Sequence, residues 1–336
     1  MMSRFPFPPR RRALLAAGAL ATAAALVPAQ AQPAAAMGDW PSRPIRIIVP
    51  FAPGGATDVV ARLVSQKLSE GLGQPVVIDN RGGANGIIGT EAVARAAPDG
   101  YTLLLNTAGA QTLSPALYKA GYEPLASFAP ISLIARIGFV MVVHPSVPAS
   151  TVQEFIALAR QPGARPLSMS SGSSMIGLIS EQFKTDIGAP GIANAQYKGT
   201  GPQLQAVVAG EVDMTIDPFV GLQMIKAGKV KPLAVLSEQR SPALPQVPTM
   251  KEAGLAGMTF QSWAGLLAPA GTPPAIVQRL NAELVRIVGL PEVREQLQRI
   301  DYEPVGSTPE QFAATIGQDA ARWARIAKNS SFKPAS

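Results

Sequence analysis

The stretch IRIIVPFAPGGATD, residues 45–58, places two adjacent glycines between an apolar run and the start of a helical pattern. The run Ile45–Val49 predicts a buried strand, and apolar residues at helical spacing across Ala56–Leu72 predict a helix. Glycines let the backbone present N–H groups where side chains would block approach, and the dipole of a helix start favours an anion. The turn is therefore either an anion site or an ordinary connection in which Thr57 or Asp58 caps the helix.

The alternation of strand and helix continues beyond this turn. Val76–Ile78 and Tyr101–Leu105 have the apolar composition of further strands, and a helical pattern at Ile87–Ala96 lies between them. A strand–helix–strand order with apolar strands indicates a mostly parallel sheet covered by helices. The sequence therefore predicts the α/β fold class.

A second α/β unit is embedded in the first. Phe139–Val143 is the last strand before it, and Phe260–Leu267 is a strand that can return to the first sheet. An embedded unit joined by two crossings gives two lobes over a cleft, and open α/β sheets bind ligands outside the carboxyl ends of their strands. We expect one lobe from residues 40–143 with 258–336, and the other from residues 144–257.

The first 31 residues have the layout of a bacterial export signal. Arg10–Arg12 precede the fifteen uncharged residues Ala13–Val27, and the small residues Ala29 and Ala31 precede an expected cut after Ala31. A run of fifteen is shorter than the ~20 residues that a membrane helix needs. We expect the signal to be removed on export to the periplasm; the pattern fits the general secretory and the twin-arginine routes equally.

The composition indicates the number of domains and argues against nucleic-acid binding. The 336 residues include no cysteine, one histidine and 47% hydrophobic residues, and the length is typical of about two domains. The signal carries four arginines and no acidic residue, so its removal lowers the formal charge from +7 to +3. No cluster of basic residues with interleaved aromatics remains, so we expect no nucleic-acid partner.

Two further turns before predicted helices are rich in glycine and hydroxyl groups. Ser170–Ser174 reads SSGSS, and Tyr197–Pro202 reads YKGTGP. One serine suffices to cap a helix, so a run of small polar residues favours ligand contact from the second lobe. In the later turn we rank Gly199 and Thr200 above Lys198, because most single lysines are solvated surface charges.

The sequence lacks the common catalytic patterns. It has neither the Gly-x-Gly-x-x-Gly dinucleotide fingerprint nor the Gly-x-x-x-x-Gly-Lys phosphate loop. Without cysteine, and with His144 as the only histidine, a zinc site, a cysteine nucleophile or a serine triad has little support. We expect no metal, no cofactor and no catalysis. The alternative is an exported hydrolase or isomerase on a similar two-lobed scaffold, which needs a buried acid–base pair facing the cleft.

Several segments resemble the Bug family of extracytoplasmic solute receptors, the binding components of tripartite tricarboxylate transporters. The segments are WPSRPIRIIVPFAPGG at 40–55, VVIDNRGGANG at 76–86, PDGYTL at 98–103, YKGTGP at 197–202, VPTMKEAG at 247–254, PAGTP at 269–273 and STPEQF at 307–312. They occur in order and span essentially the whole chain after the signal.

The resemblance implies a two-lobed, Venus-flytrap receptor of the type II periplasmic binding class. It implies a small organic acid as ligand, such as a dicarboxylate, an aromatic acid or an amino acid, held at the double-glycine turn. The acid is delivered to membrane transporter subunits or, alternatively, to a signalling partner, and we expect the receptor to be a monomer. With Gly199 added from the third turn, the ligand-binding residues expected from the family's cleft positions are Phe51, Ala52, Gly54, Gly55, Thr57, Asp58, Thr107, Gln111, Ser171, Ser173, Ser174, Gly199, Thr200 and Asp217.

Overall fold

The computed structural model describes residues 39–54, 56–163, 165–197 and 199–329. The strands in these ranges are β1 Ile45–Val49, β2 Val76–Asn80, β3 Thr102–Thr107, β4 Phe128–Ile137, β5 Val140–Val143, β6 Ser168–Ser171, β7 Ala193–Gln196, β8 Met214–Asp217, β9 Lys231–Val235, β10 Ser262–Pro269 and β11 Tyr302–Pro304. The helices are α1 Ala56–Leu72, α2 Ile87–Ala94, α3 Ser114–Leu117, α4 Val152–Ala159, α5 Ser174–Asp186, α6 Thr200–Val208, α7 Leu222–Lys226, α8 Pro274–Gly289, α9 Pro291–Arg299 and α10 Pro309–Asn329. The predicted export signal lies outside the described residues.

The first sheet has six strands in the order β11-β4-β10-β3-β1-β2. Strand β1 runs parallel to β2 and β3, as the sequence predicted. Strand β10 lies antiparallel between β3 and β4, and β11 is antiparallel to β4. The sheet is therefore mixed rather than mostly parallel, because the chain that returns from the embedded unit enters it in the opposite direction.

The second sheet has five strands in the order β7-β6-β8-β5-β9. Strand β6 is parallel to β7 and β8, and β5 is antiparallel to β8 and β9. Val140 pairs with Asp217 on one side and Val235 on the other, so β5 belongs to this sheet and not to the first, where the sequence analysis put it. We therefore propose that the embedded lobe begins near Val140 instead of His144, and that the second crossing precedes Ser262.

Helix α1 begins and ends where its pattern predicted. Val60, Val64 and Leu68 follow one another at four-residue intervals and are fully buried against β1, in the same cluster as Ile45 and Ile47. Burying an aliphatic side chain of this size contributes about 1.5–3 kcal/mol, so this face fixes the helix behind the double-glycine turn.

The C-terminal helix α10 covers the region of the second crossing. Trp263 of β10 meets Phe312 of α10 edge to face with ring centroids 4.9 Å apart, and Phe260 stacks on Trp323 at 5.9 Å. All four rings are at most 3% exposed and belong to an apolar cluster that includes residues of both sheets, among them Met169. The two lobes therefore share packing at this end.

Candidate functional site

The turn after β1 is held by a carboxylate. Asp58 Oδ2 accepts hydrogen bonds from the backbone N–H of Gly54 at 3.0 Å and from Arg62 Nε at 2.8 Å, while its Oδ1 accepts one from Asn80 Nδ2 at 3.0 Å. Burial by itself raises the pKa of Asp58, but these hydrogen bonds outweigh it and hold the pKa below its ordinary value. The Asp58 side chain is therefore engaged within the loop, and Gly55 lies outside the described residues.

The remaining predicted residues of this turn differ in exposure. Ala52 is exposed, Phe51 is half-buried and Thr57 is buried. A Cβ added at Gly82 would lie 3.4 Å from the backbone nitrogen of Ala52, so the loops after β1 and β2 pack backbone against backbone. A side chain at Gly82 would meet this backbone at ordinary van der Waals distance, in the segment that carries the family resemblance.

The turn after β3 is braced from within. Gln111 is fully buried; its Oε1 accepts a hydrogen bond from Asn106 Nδ2 at 2.7 Å, and its Nε2 donates one to the carbonyl of Pro124 at 2.6 Å. The side chain of Gln111 therefore braces this turn from within, and its contact with a ligand stays a prediction. Thr107, half-buried at the end of β3, lies beside this brace.

The turn after β6 brings three serines to the start of α5. Ser171 Oγ donates to Asn194 Oδ1 in the interior, and Ser173 Oγ caps the helix by accepting from the N–H of Ile176 at 3.3 Å. Ser174 Oγ lies 2.8 Å from the hydroxyl oxygen of Tyr118, which belongs to the first lobe. This contact joins the turns of the two sheets.

The turns after β6 and β7 also touch each other. The N–H of Gly199 donates to the carbonyl of Gly172 at 3.1 Å. Gln203, fully buried, accepts from the N–H of Gly172 and donates to the carbonyl of Ile216 at 2.9 Å. Thr200, the first residue of α6, is half-buried beside them. Lys198 lies outside the described residues.

Asp217, at the end of β8, is fully buried. Its Oδ2 accepts from the N–H of Gly221 at 2.8 Å, whereas its Oδ1 accepts no hydrogen bond from the described residues. Burial raises the pKa of Asp217 to about 6, although the Gly221 hydrogen bond lowers it in part. A buried carboxylate oxygen without a donor is costly, which marks this position for a partner or a proton.

The predicted residues that the structure describes thus fall on turns at the carboxyl ends of parallel strands in both sheets. The residues that hold these turns without having been predicted include Tyr118, Gln203 and Asn85, whose amide donates to the Tyr118 hydroxyl. Asn85 lies within a segment that carried the resemblance, whereas no local pattern marks Tyr118 or Gln203, whose partners are distant in the sequence.

A cavity of about 450 Å³ lies elsewhere, beside the second crossing, and contains none of the predicted residues. Two of its charged side chains have internal partners: Trp263 Nε1 donates to Asp319 at 2.6 Å, and Arg322 donates to the carbonyl of Thr259 at 2.6 Å. The guanidinium carbon of Arg322 also lies 4.7 Å from the ring centre of Phe260. These contacts serve the packing of the crossing, so the strand-end turns are the better candidate site.

In the described ranges, no helix has the length and apolar character needed to cross a lipid bilayer.

Residues 60–332 match the model of the tripartite tricarboxylate transporter family receptor. The chain belongs to this family. It is 36% identical over 302 residues to the protein BugT of Bordetella pertussis, covering 88% of this chain and 91% of that protein. The family assignment confirms the resemblance to Bug-type solute receptors.

Solved structures of similar proteins share the fold. An R. palustris protein solved with adipate superposes with a TM-score of 0.81 at 37% identity, covering 88% of this chain and all of the other. MatC from Rhodopseudomonas palustris, solved with bound malate, superposes with a TM-score of 0.77 at 32% identity, covering 86% of this chain and all of the other. The fold is therefore the two-lobed α/β fold of periplasmic binding proteins.

Proposed function

We propose that this family member is a periplasmic receptor that binds a small organic carboxylate and delivers it to a tripartite tricarboxylate-type membrane transporter. The observation that carries the proposal is the meeting of hydroxyl-bearing and glycine-bearing turns from two sheets, linked by the 2.8 Å contact of Tyr118 with Ser174. The similar proteins solved with adipate and malate support a dicarboxylate as the first class to test.

The acid is held chiefly by neutral donors. No arginine occurs in Phe51–Asp58 or in Ser168–Ser174, so backbone N–H groups and hydroxyls supply the contacts. Hydrogen bonds to a charged group contribute about 1.5–3 kcal/mol each. A few of them suffice for micromolar binding, which corresponds to about 8 kcal/mol.

A thermal-shift screen tests the proposal directly. The purified protein is heated with dicarboxylates, aromatic acids and amino acids, and the diamide of adipic acid is the uncharged control. An acid at 100 times its dissociation constant adds ~2.7 kcal/mol of stability, at roughly 2–4 °C per kcal/mol. The expected result is a shift with one class of acid, confirmed by calorimetry, and none with the diamide. If none of these acids binds, the proposal fails.

The protein binds the acid without converting it. The test is to incubate protein with adipate and with malate and to follow the proton NMR spectrum of each acid. Unchanged spectra are expected; the appearance of a new species that depends on the protein would instead support the enzyme alternative.

A further inference from the structure

The side chain of Tyr118 links the two lobes at the candidate site. Tyr118 directly follows α3 in the first lobe, and its hydroxyl oxygen lies 2.8 Å from Oγ of Ser174, the first residue of α5 in the second. The same hydroxyl accepts a hydrogen bond from Asn85 Nδ2 at 2.8 Å. The three polar groups form a hydrogen-bond chain that begins at Asn85 in one lobe and ends at Ser174 in the other.

Either hydroxyl can donate in the contact between Tyr118 and Ser174. An amide nitrogen only donates, so the Tyr118 oxygen accepts from Asn85, and the arrangement that also uses the Tyr118 proton directs it to Ser174 Oγ. The oxygen of Ser174 is then an acceptor in this contact, and its own proton remains free to donate. The result is a serine hydroxyl oriented as a donor at the start of a helix, where negative charge is favoured.

The first member of the chain is firmly placed. Asn85 has a φ of 53°, a left-handed conformation that asparagine adopts more readily than most residues. The hydroxyl of Ser114 donates to the Asn85 carbonyl at 3.0 Å, and Ser114 is buried. Backbone strain that is held by such contacts is concentrated at functional sites.

The second lobe presents Ser174 in a fixed position as well. Ser174 is 8% exposed, and the preceding residue, Ser173, caps the helix through the N–H of Ile176. Because the capping task already falls to Ser173, the hydroxyl of Ser174 is available for another role.

We propose that Tyr118 and Asn85 are positioning residues: they orient the Ser174 hydroxyl as a donor to the bound acid, and their hydrogen-bond chain is completed only when the lobes are together. The proposal rests on the proposed function and adds to it a link between binding and closure. Tyr118 acts through Ser174 rather than by touching the acid.

The first test measures the affinity of Tyr118→Phe for adipate and malate by calorimetry. We expect the dissociation constant to rise about fivefold, corresponding to about 1 kcal/mol. Ser174→Ala is expected to weaken binding at least as much, and adding Tyr118→Phe to it is expected to cause no further loss. The matched control is Tyr101→Phe, because the Tyr101 hydroxyl contacts Ser42 instead.

The second test reverses the direction of the hydrogen bonds between residue 85, Tyr118 and Ser174. In Asn85→Asp the new carboxylate can only accept a hydrogen bond, so the Tyr118 hydroxyl donates to it. The Tyr118 oxygen then accepts a hydrogen bond from the Ser174 hydroxyl. We expect binding to weaken by more than in Tyr118→Phe. The same substitution made in the Tyr118→Phe background measures the effect of the added charge alone, which is expected to be smaller.

The outcomes separate this proposal from the proposed function. If the parent binds a probe and Tyr118→Phe binds it equally well, the positioning role is wrong and the receptor function stands. If the parent binds neither probe, the receptor function fails for these acids, and the positioning role, which needs a bound acid, fails with it.

Discussion

At the scale of single residues, the sequence predicted where the glycine-rich and hydroxyl-rich turns lie, but not which of their side chains have partners inside the protein. Glycine and hydroxyl composition marks a turn locally, and these turns lie where they were expected. The internal partners of Asp58 and Gln111 come in part from Asn80 and Pro124, which lie 22 and 13 positions away. Such partners become visible only once the fold brings the segments together.

Asp58 is expected to stabilise its loop in a pH-dependent way. Asp58→Ala leaves the N–H of Gly54 and the amide of Asn80 without their acceptor, so we expect a loss of about 1–3 kcal/mol at neutral pH. Because the folded pKa is depressed, the contribution of the charged form is present above the ordinary value of 3.8 and is lost as the pH falls through the folded pKa. Urea unfolding of both proteins should show the difference shrinking in acid; a constant difference would contradict this role.

Asp217 is expected to have the opposite pH dependence. Between the ordinary pKa of 3.8 and about 6, the folded state keeps a proton that the unfolded state has lost. The stability of the parent therefore falls across this window as the pH rises, by up to about 3 kcal/mol at 1.36 kcal/mol per pKa unit. Asp217→Asn removes this slope, as unfolding curves at a series of pH values can measure.

The matched control for Asp217 is Asp213→Asn. Burial of Asp213 raises its pKa, but hydrogen bonds from Arg165 and Ser168 outweigh this and lower it, so its contribution changes only in stronger acid. If both variants keep the parent's slope between pH 3.8 and about 6, Asp217 is not the group that titrates there.

At the scale of elements, a long periodic helix was predicted to the residue and two short strands were missed. Helix α1 agrees with its prediction to the residue, because its apolar face repeats over seventeen residues. Strands β7 and β11 were missed: β7 is largely exposed and reads ANAQ, and β11 has three residues. Their pairing, with β6 and with β4, holds them in place rather than any local pattern.

Helix α5 offers a test that separates capping from ligand binding. Ser173→Ala removes the cap and is expected to lower the free energy of unfolding by about 1 kcal/mol. Its effect on acid binding should be smaller than that of Ser174→Ala, because in our proposal the Ser174 hydroxyl donates to the acid, whereas the Ser173 oxygen caps the helix. The matched control is Thr151→Ala, which removes the equivalent cap of α4, where Thr151 Oγ1 accepts from the N–H of Glu154 at 3.1 Å.

The control should lose similar stability and bind adipate and malate like the parent. Calorimetry and urea unfolding measure the two quantities separately. If Ser173→Ala weakens binding more than Ser174→Ala does, Ser173 contacts the acid directly and the assignment of roles within this turn is reversed.

At the scale of the whole molecule, the sequence predicted two sheets and an embedded unit, but it grouped Val140–Val143 with the first sheet, whereas β5 pairs within the second. Nothing in the apolar run Val140–Val143 distinguishes a strand of one sheet from a strand of the other. The partners β8 and β9 decide, and both lie far downstream.

Closure of the lobes on an acid should be measurable in solution. The two crossings, near Gly138 and near Thr259–Gln261, are the segments about which we expect the embedded lobe to rotate. Scattering with and without saturating adipate or malate should give a smaller radius of gyration in the presence of a bound acid. An unchanged radius, with binding proven by calorimetry, would count against rotation about the crossings.

The exported form should begin at or near Gln32. Ala29 and Ala31 precede the expected cut, at the third and first positions before it. The signal lies outside the described residues. Intact-mass measurement of the protein recovered from the periplasm decides this. A mass that still includes Met1 to Ala31 would show that the segment is retained.

The position of β10 has a consequence for how the protein is made. Among the described strands, β4 pairs only with β10 and β11, and both follow the embedded unit in the chain. In a nascent chain that has emerged only as far as Phe260, both edges of β4 and one edge of β3 therefore lack a partner strand. Unpaired strand edges invite pairing with other chains, and assembly from distant segments is slow. Production of this protein should therefore depend on factors that shield the unfinished chain until its last quarter arrives.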